Sequence, residues 1–271
     1  KFKSAEKEYE LNTNNSQILK DVSIDILAEK YTAITPENAK DFFSKIPNIK
    51  KIVRGKGLDL GGGPGILSAV LLNNYSQIEK ITLVEVVESI LLECFANVQS
   101  NLLKKERCDD LEPVCGSFDE INCDDESIDF CFAWAAMHHS RNLTVTLKEI
   151  HRVLKKGGNF LIVDRAHNNS TPKSELNRMM DVVYSPDFIE KNGFPIGTKL
   201  TRRENGEHEY RFDDWIQYFK EANFKIKCKY LFLENHEKNI DYHNDGLIEQ
   251  EYVEYKLGGF EKKRIVFILE K

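Results

Sequence analysis

Four glycines fall in five positions at Gly61-Gly62-Gly63-Pro64-Gly65, directly after Asp59 and Leu60. A Cβ blocks both a tight turn and the close approach of a ligand, so glycine at this density reads as a cradle for something held against the backbone. Spacing narrows the ligand. The dinucleotide pattern G-x-G-x-x-G would need glycine at position 66, where Ile66 stands, which leaves D-x-G-x-G-x-G over Asp59, Gly61, Gly63 and Gly65. A β-branched run, Ile81 to Val84, ends in a carboxylate at Glu85, at the distance one βαβ turn requires. Further on, Met137-His138-His139-Ser140 follows an apolar run, and Asp164, Arg165 and His167 follow another. Imidazoles serve as acid or base near neutral pH. Adjacent histidines seldom converge on one ion, so no metal site is expected from these two and Asp164.

These residues need elements to hold them. Ile52 and Val53 open an apolar segment that resumes at Leu58 and Leu60, and Ile66 to Leu72 reads as a buried helix, giving strand, glycine turn, helix. Val87 to Leu103 has helical periodicity, 112–115 is a short third strand, and 127–134 is a fourth, apolar enough to be central. Leu143, Leu147, Ile150 and Leu154 mark a helix expected to close at Lys155-Lys156-Gly157-Gly158, before a fifth strand at 159–164. Upstream, Ile18, Val22, Ile26 and Leu27 share a helical face, and Thr35-Pro36 starts a second helix.

The alternation breaks after Asp164. Residues 165–211 are polar, carry Pro172, Pro186 and Pro195, and are too long for a plain loop, so they read as an inserted lid or cap. Asp213 or Asp214 is expected to cap a helix bearing Trp215 and Phe219, and 225–233 and 264–269 are the last strands, with a charged linker at 234–260 suiting a final hairpin. The expected organisation is an N-terminal helical extension over 1–50 and one domain over 51–271 carrying the insertion.

The glycine loop, Glu85, the segment Asp129 to His139, and Leu147 to Gly158 together resemble class I S-adenosylmethionine-dependent methyltransferases, in particular the broad ubiquinone/menaquinone-type small-molecule group. The resemblance implies a Rossmann-like α/β fold, a mostly parallel sheet whose last strand is antiparallel, and S-adenosyl-L-methionine as cofactor. It implies that Gly61, Gly62, Gly63 and Gly65 lie against the methionine and ribose, that Asp59 orients the amino group, and that Glu85 accepts the ribose hydroxyls. Val86 would pack on the adenine, and Ala133 and Trp134 would flank the methionine end. Where the family often has an acid after the third strand, this chain has Ser117, so the adenine contact falls to Ser117 or the Phe118 amide. His138, His139 and His167 are the candidate acid-base residues for a hydroxyl or amine acceptor. Arg165 could hold an acidic acceptor or form an ion pair. Tyr184, Arg202 and Arg203 could line the acceptor pocket but are expected to be solvated lid residues, and His151, His208, His236 and His243 are assigned no role.

Composition bounds the reading. The chain has 271 residues, a net charge of -6 and no membrane-length apolar run, which argues against membrane insertion and against a nucleic-acid partner. Six scattered cysteines without a C-x-x-C pair suit a reducing cytoplasm, with Cys115 and Cys131 expected in the core. The expected activity is therefore O- or N-methylation of a small-molecule acceptor. Its alternatives are a protein or nucleic-acid methyltransferase, or a same-fold aminopropyl-type transferase.

Overall fold

The computed structural model describes residues 22–271 except 168, 192–193 and 234–262. Seven strands form one sheet in the order β3-β2-β1-β4-β5-β7-β6. They are β1 (Gly55–Leu60), β2 (Ile78–Glu85), β3 (Leu111–Cys115), β4 (Ile128–Trp134), β5 (Leu154–Arg165), β6 (Lys225–Leu233) and β7 (Lys263–Glu270). Strands β1 to β5 pair in parallel, while β7 runs antiparallel to both β5 and β6. The order reverses between β1 and β4, and such a switch point opens a crevice at the strands' carboxyl ends.

Helices cover both faces, as a parallel sheet requires. On β4, Phe130, Phe132 and Trp134 point into one apolar cluster and Cys131 and Ala133 into the other. The first cluster is closed by α1 (Ile24–Thr32), α2 (Pro36–Lys45), α3 (Ile49–Ile52), α4 (Ile66–Asn74) and α5 (Glu88–Asn101). The second is closed by α6 (Leu143–Val153) and α9 (Phe212–Glu221), with Trp215 and Phe219 fully buried against Phe267. The N-terminal helices are part of the main core. Phe42 and Phe43 of α2 make edge-on contacts with Trp134, and Phe43 also meets Phe132.

Several local expectations shift. Ile52 closes the short α3 and Val53 follows it, so β1 begins only at Gly55. The α1 face is set by buried Leu27 and Ala28 while Ile26 is 56% exposed, and Ile18 lies outside the described residues. Thr35 does cap α2, its side chain accepting from the Asn38 amide. Helix α6 ends at Val153, so Lys155 to Gly158 are strand, and Gly157, at φ 75°, sits beside a register shift where β5 joins β4. Neither Asp213 nor Asp214 is the cap of α9. Arg211 takes that place, and Asp214 reaches back from the first turn to accept its amide at 2.8 Å. Cys131 is buried, but Cys115 is exposed because β3 is the sheet's edge. The charged linker expected at 234–260 lies outside the described residues.

After β5 the chain forms α7 (Lys173–Met180) and α8 (Pro186–Lys191). Two isolated bridges tie this excursion together, Val183 with Thr201 and His167 with Arg211. It buries Leu176, Met179, Met180, Ile189 and Phe194. The insertion thus has apolar packing of its own.

Truncating Phe43 should remove one of the two rings that join α2 to β4, the one that meets both Phe132 and Trp134. Phe43→Ala is expected to destabilise the fold by about 3–5 kcal/mol, the usual cost of deleting a buried aromatic. Urea unfolding followed by tryptophan fluorescence measures it, and a loss under 1 kcal/mol would mean α2 is an accessory to the core.

Candidate active site

The glycine turn leaves β1 and opens α4. Gly61, Gly63 and Gly65 all have φ between 55° and 88°, a region that side chains other than glycine's enter only with strain. Gly62 is required by close approach instead. A Cβ there would lie 2.3 Å from Asp59 Oδ2 and 2.4 Å from Leu83 Cδ1. At Gly61 a Cβ would meet Ala136 at 2.7 Å, which brings the turn after β4 against the glycine loop.

Two carboxylates stand beneath this loop. Asp59 is buried, and its Oδ2 accepts from Ser68 Oγ at 2.6 Å. Its Oδ1 is buried with no partner among the described residues. Burial pushes the Asp59 carboxyl up to about 7, with the Ser68 hydrogen bond opposing and nearby Glu85 reinforcing the rise. Glu85 ends β2 and accepts from the Gly63 amide at 3.0 Å and the Val87 amide at 2.9 Å. Burial raises its carboxyl too, and those amides resist the rise. Val86 is half-buried beside it, and Tyr31 of α1 faces Gly63, 3.7 Å from where a Cβ on that glycine would lie.

The third-strand turn is closed on itself. Ser117 Oγ accepts from the Asp119 amide at 3.1 Å, and the acid at 119 is bonded to Thr146 rather than left open. The Phe118 ring lies over Gly61. Ala133 is fully buried, and the Trp134 indole donates to the Thr32 carbonyl at 2.9 Å, so this side chain is held among the N-terminal helices.

Past β4 the two histidine rings lie side by side, centroids 4.2 Å apart and planes tilted by 40°, in quite different surroundings. His138 is buried. Its Nδ1 lies 2.7 Å from Asp164 Oδ1 and its amide donates to Oδ2 at 3.2 Å. Asp164 is itself buried, yet it is held below the usual carboxylate range because His138 and Arg165 outweigh the desolvation. Asp164 is therefore ionised and can only accept, which assigns a hydrogen to His138 Nδ1. His139 Nδ1 is buried without a partner among the described residues. Burial, then the neighbouring His138, lowers its imidazole to about 3.

A charged cluster roofs this pair. Arg165 contacts Glu207 at 2.5 Å and Glu209 at 3.5 Å, and Arg202 contacts Glu207 at 2.8 Å and also Glu209. His167 Nε2 lies 2.6 Å from Glu209, and Tyr184 donates to Glu207. Tyr184 and Arg202 are thus not solvated lid residues, whereas Arg203 is exposed and pairs with Asp181. His208, expected to have no role, has its Nδ1 3.1 Å from the His138 carbonyl. Glu207 and Glu209 gave no sequence signal, because the partners that tie them to the end of β5, Arg165 and His167, lie about forty residues upstream.

These surroundings suit the cofactor that the glycine pattern implies. A backbone cradle, a buried carboxylate oxygen without a partner at Asp59, and a strand-end carboxylate at Glu85 match a ligand carrying an amino group and vicinal hydroxyls. Among the described residues no group of three or more His, Cys, Asp or Glu is placed to hold a metal ion, and no helix is long and apolar enough to cross a membrane.

Residues 58–162 match the family model described as "Methyltransferase domain". The chain is 26% identical over 159 residues to the sarcosine/dimethylglycine N-methyltransferase of Halorhodospira halochloris, covering 58% of this chain and 53% of that protein. It is 24% identical over 161 residues to the enzyme of the same description from Aphanothece halophytica, covering 57% and 55%. The chain thus spans about half the length of these curated relatives. A solved structure described as a putative sarcosine dimethylglycine methyltransferase from Galdieria sulphuraria superposes with a TM-score of 0.54 at 19% identity, over 71% of this chain and 63% of that one. That likeness shows the fold.

The Asp59 carboxyl predicts a pH dependence. Its folded-state value lies above the unfolded one, so its contribution is complete below about pH 4 and is lost as pH rises to about 7. Relative to Asp59→Asn, wild-type stability should fall across that window, by up to about 1.4 kcal/mol per pH unit, and level off above it. Urea titrations at fixed ionic strength measure the difference. A difference constant from pH 4 to 7.5 would show that Asp59 titrates like a surface carboxylate.

Proposed function

We propose that this chain, which carries a class I S-adenosylmethionine-dependent methyltransferase domain over residues 58–162, transfers a methyl group to a nitrogen of a small-molecule acceptor. The N-methyltransferase descriptions of the relatives favour nitrogen over oxygen. The observation that carries an acid-base reading is the buried His138–Asp164 pair, one turn beyond the strand that lies against the glycine loop.

When bound, S-adenosylmethionine supplies a methyl group on a sulfonium, which the acceptor's lone pair displaces in line, the C–S pair remaining on sulfur as S-adenosylhomocysteine. Glu85 would accept the ribose hydroxyls, its oxygens already positioned by the Gly63 and Val87 amides. Asp59 Oδ1 would receive the amino group, which relieves its lack of a partner. Val86 would border the adenine, while the Ser117 hydroxyl stays in its own turn and leaves the Phe118 amide as the donor there.

An amine enters protonated and must shed one proton before its lone pair is available. His138 Nε2 takes that proton, and Asp164 holds the ring in the required tautomer and stabilises the imidazolium that forms. His139 and His167 do not share this role: the first is held neutral and the second is turned to Glu209. The insertion, whose Glu207 and Glu209 pair with Arg165 and His167 at the end of β5, would cover the rim and exclude water from the aligned acceptor.

Two measurements test the reading. Isothermal titration should show S-adenosylhomocysteine binding that weakens by about 1–3 kcal/mol in Glu85→Ala, the cost of losing hydrogen bonds to a charged group. For a methylated amine, His138→Gln should lower kcat by roughly 10²–10⁴-fold at pH 7. That loss should narrow with rising pH as solvent deprotonates the amine. A pH-independent deficit would remove His138 from the proton transfer, and absent S-adenosylhomocysteine binding would end the methyltransferase reading.

A further inference from the structure

The geometry points to an acceptor that is an amine without a carboxylate, recognised as a cation. This rests on the methyl-transfer reading and specifies its substrate. A cation is the usual partner for an amino acid's acid end, and among the described residues of this cluster both guanidiniums, Arg165 and Arg202, are already ion-paired. Arg165 is paired with Glu207 and Glu209, and Arg202 with the same two carboxylates. Glu207 is further fixed by the Tyr184 hydroxyl and Glu209 by His167. Both glutamates and Arg202 have nearly buried side chains. An incoming carboxylate would have to displace one of these partners and leave a buried glutamate without its counter-charge.

The balance of charge runs the same way. Among the described residues of this cluster three carboxylates, Asp164, Glu207 and Glu209, face two guanidiniums, Arg165 and Arg202. This field reaches the histidine beside the proposed base, since Glu207 and Asp164 favour charge on the His139 imidazole and Arg165 opposes it. Tyr184 and Tyr210 add aromatic surface next to the carboxylates, the first stacked on Phe188 and the second beside Trp215. Such a rim suits an ammonium and repels a carboxylate. The second, independent observation is His139. Its Nδ1 is buried and unpartnered among the described residues, next to the proposed base, and offers a neutral hydrogen-bonding group to an acceptor nitrogen or its substituent.

The inference separates this chain from what its relatives' descriptions name, since sarcosine and dimethylglycine both carry a carboxylate. Matched pairs differing only in that group provide the test: tyramine and tyrosine, histamine and histidine, cadaverine and lysine, N-methylethylamine and sarcosine. With the full chain and S-adenosylmethionine at pH 8, the carboxylate-free member is expected to have at least 100-fold higher kcat/KM in whichever pair is turned over. Glu207→Gln should shrink that preference at least tenfold, because it leaves Arg165 and Arg202 partly uncompensated. A merely structural role would lower both members of a pair alike. If that variant does not fold, Tyr184→Phe, which loosens Glu207 without removing its charge, should preserve the preference.

Equal or better turnover of the carboxylate-bearing members overturns the proposal. So does failure of the S-adenosylhomocysteine-loaded protein to bind either member of any pair. Both results leave the methyl-transfer reading standing, which fails separately if S-adenosylhomocysteine itself does not bind.

Discussion

A carboxylate taken out of water must be met by donors, and this site is organised by how three of them are met. Asp59, Glu85 and Asp164 stand at or next to the carboxyl ends of β1, β2 and β5, all of them buried. Each has a different answer. Glu85 binds two backbone amides, Asp59 binds one hydroxyl and keeps an oxygen in reserve, and Asp164 binds an imidazole and two amides. The strands bring them to one edge, and their partners then fix the glycine loop, the start of α5 and the turn after β4. Because an unmet buried charge costs several kcal/mol, these loops have little freedom to sit elsewhere.

The cofactor side was legible in the sequence because its chemistry is local. The glycine turn, the strand before it and the helix after it are contiguous, and Glu85 lies one βαβ turn away. Period and punctuation suffice for such features. The charged cluster of the insertion was much less legible, since several of its charges are neutralised across long separations. Arg165 stood in the sequence as a group that could hold an acidic acceptor or form an ion pair, and only the fold brings Glu207 and Glu209 to it. Arg202 and Tyr184 looked solvated because the insertion is polar, yet a polar segment can be buried when its charges pair with one another. The same limit explains Cys115. Its strand pattern was right, but exposure depends on which strand ends the sheet, and that order is not written in any single segment.

Trp134 illustrates a different override. A residue closing the central strand next to the site would be expected to face the ligand. Side chains alternate along a strand, and parity with Phe130 and Phe132 sends the indole to the face covered by α2. Its hydrogen bond to Thr32 then makes it a strut between the strand and the N-terminal helices. Tyr31, one residue earlier, faces Gly63. The N-terminal region is thus coupled mechanically to the loop that would bear the cofactor, and its order and the loop's order should rise and fall together.

The edge strand β3 also bears on how the protein behaves at high concentration. Its residues after Leu111 are exposed, so it presents a row of backbone groups that another chain could extend. Pro113 interrupts that row by removing a donor, and Glu112, paired with Lys80 of β2, adds charge beside it. At only five residues, the strand is also short. Length, proline and charge together make this margin a poor template for sheet-to-sheet association, which guards the chain against aggregation along its exposed flank.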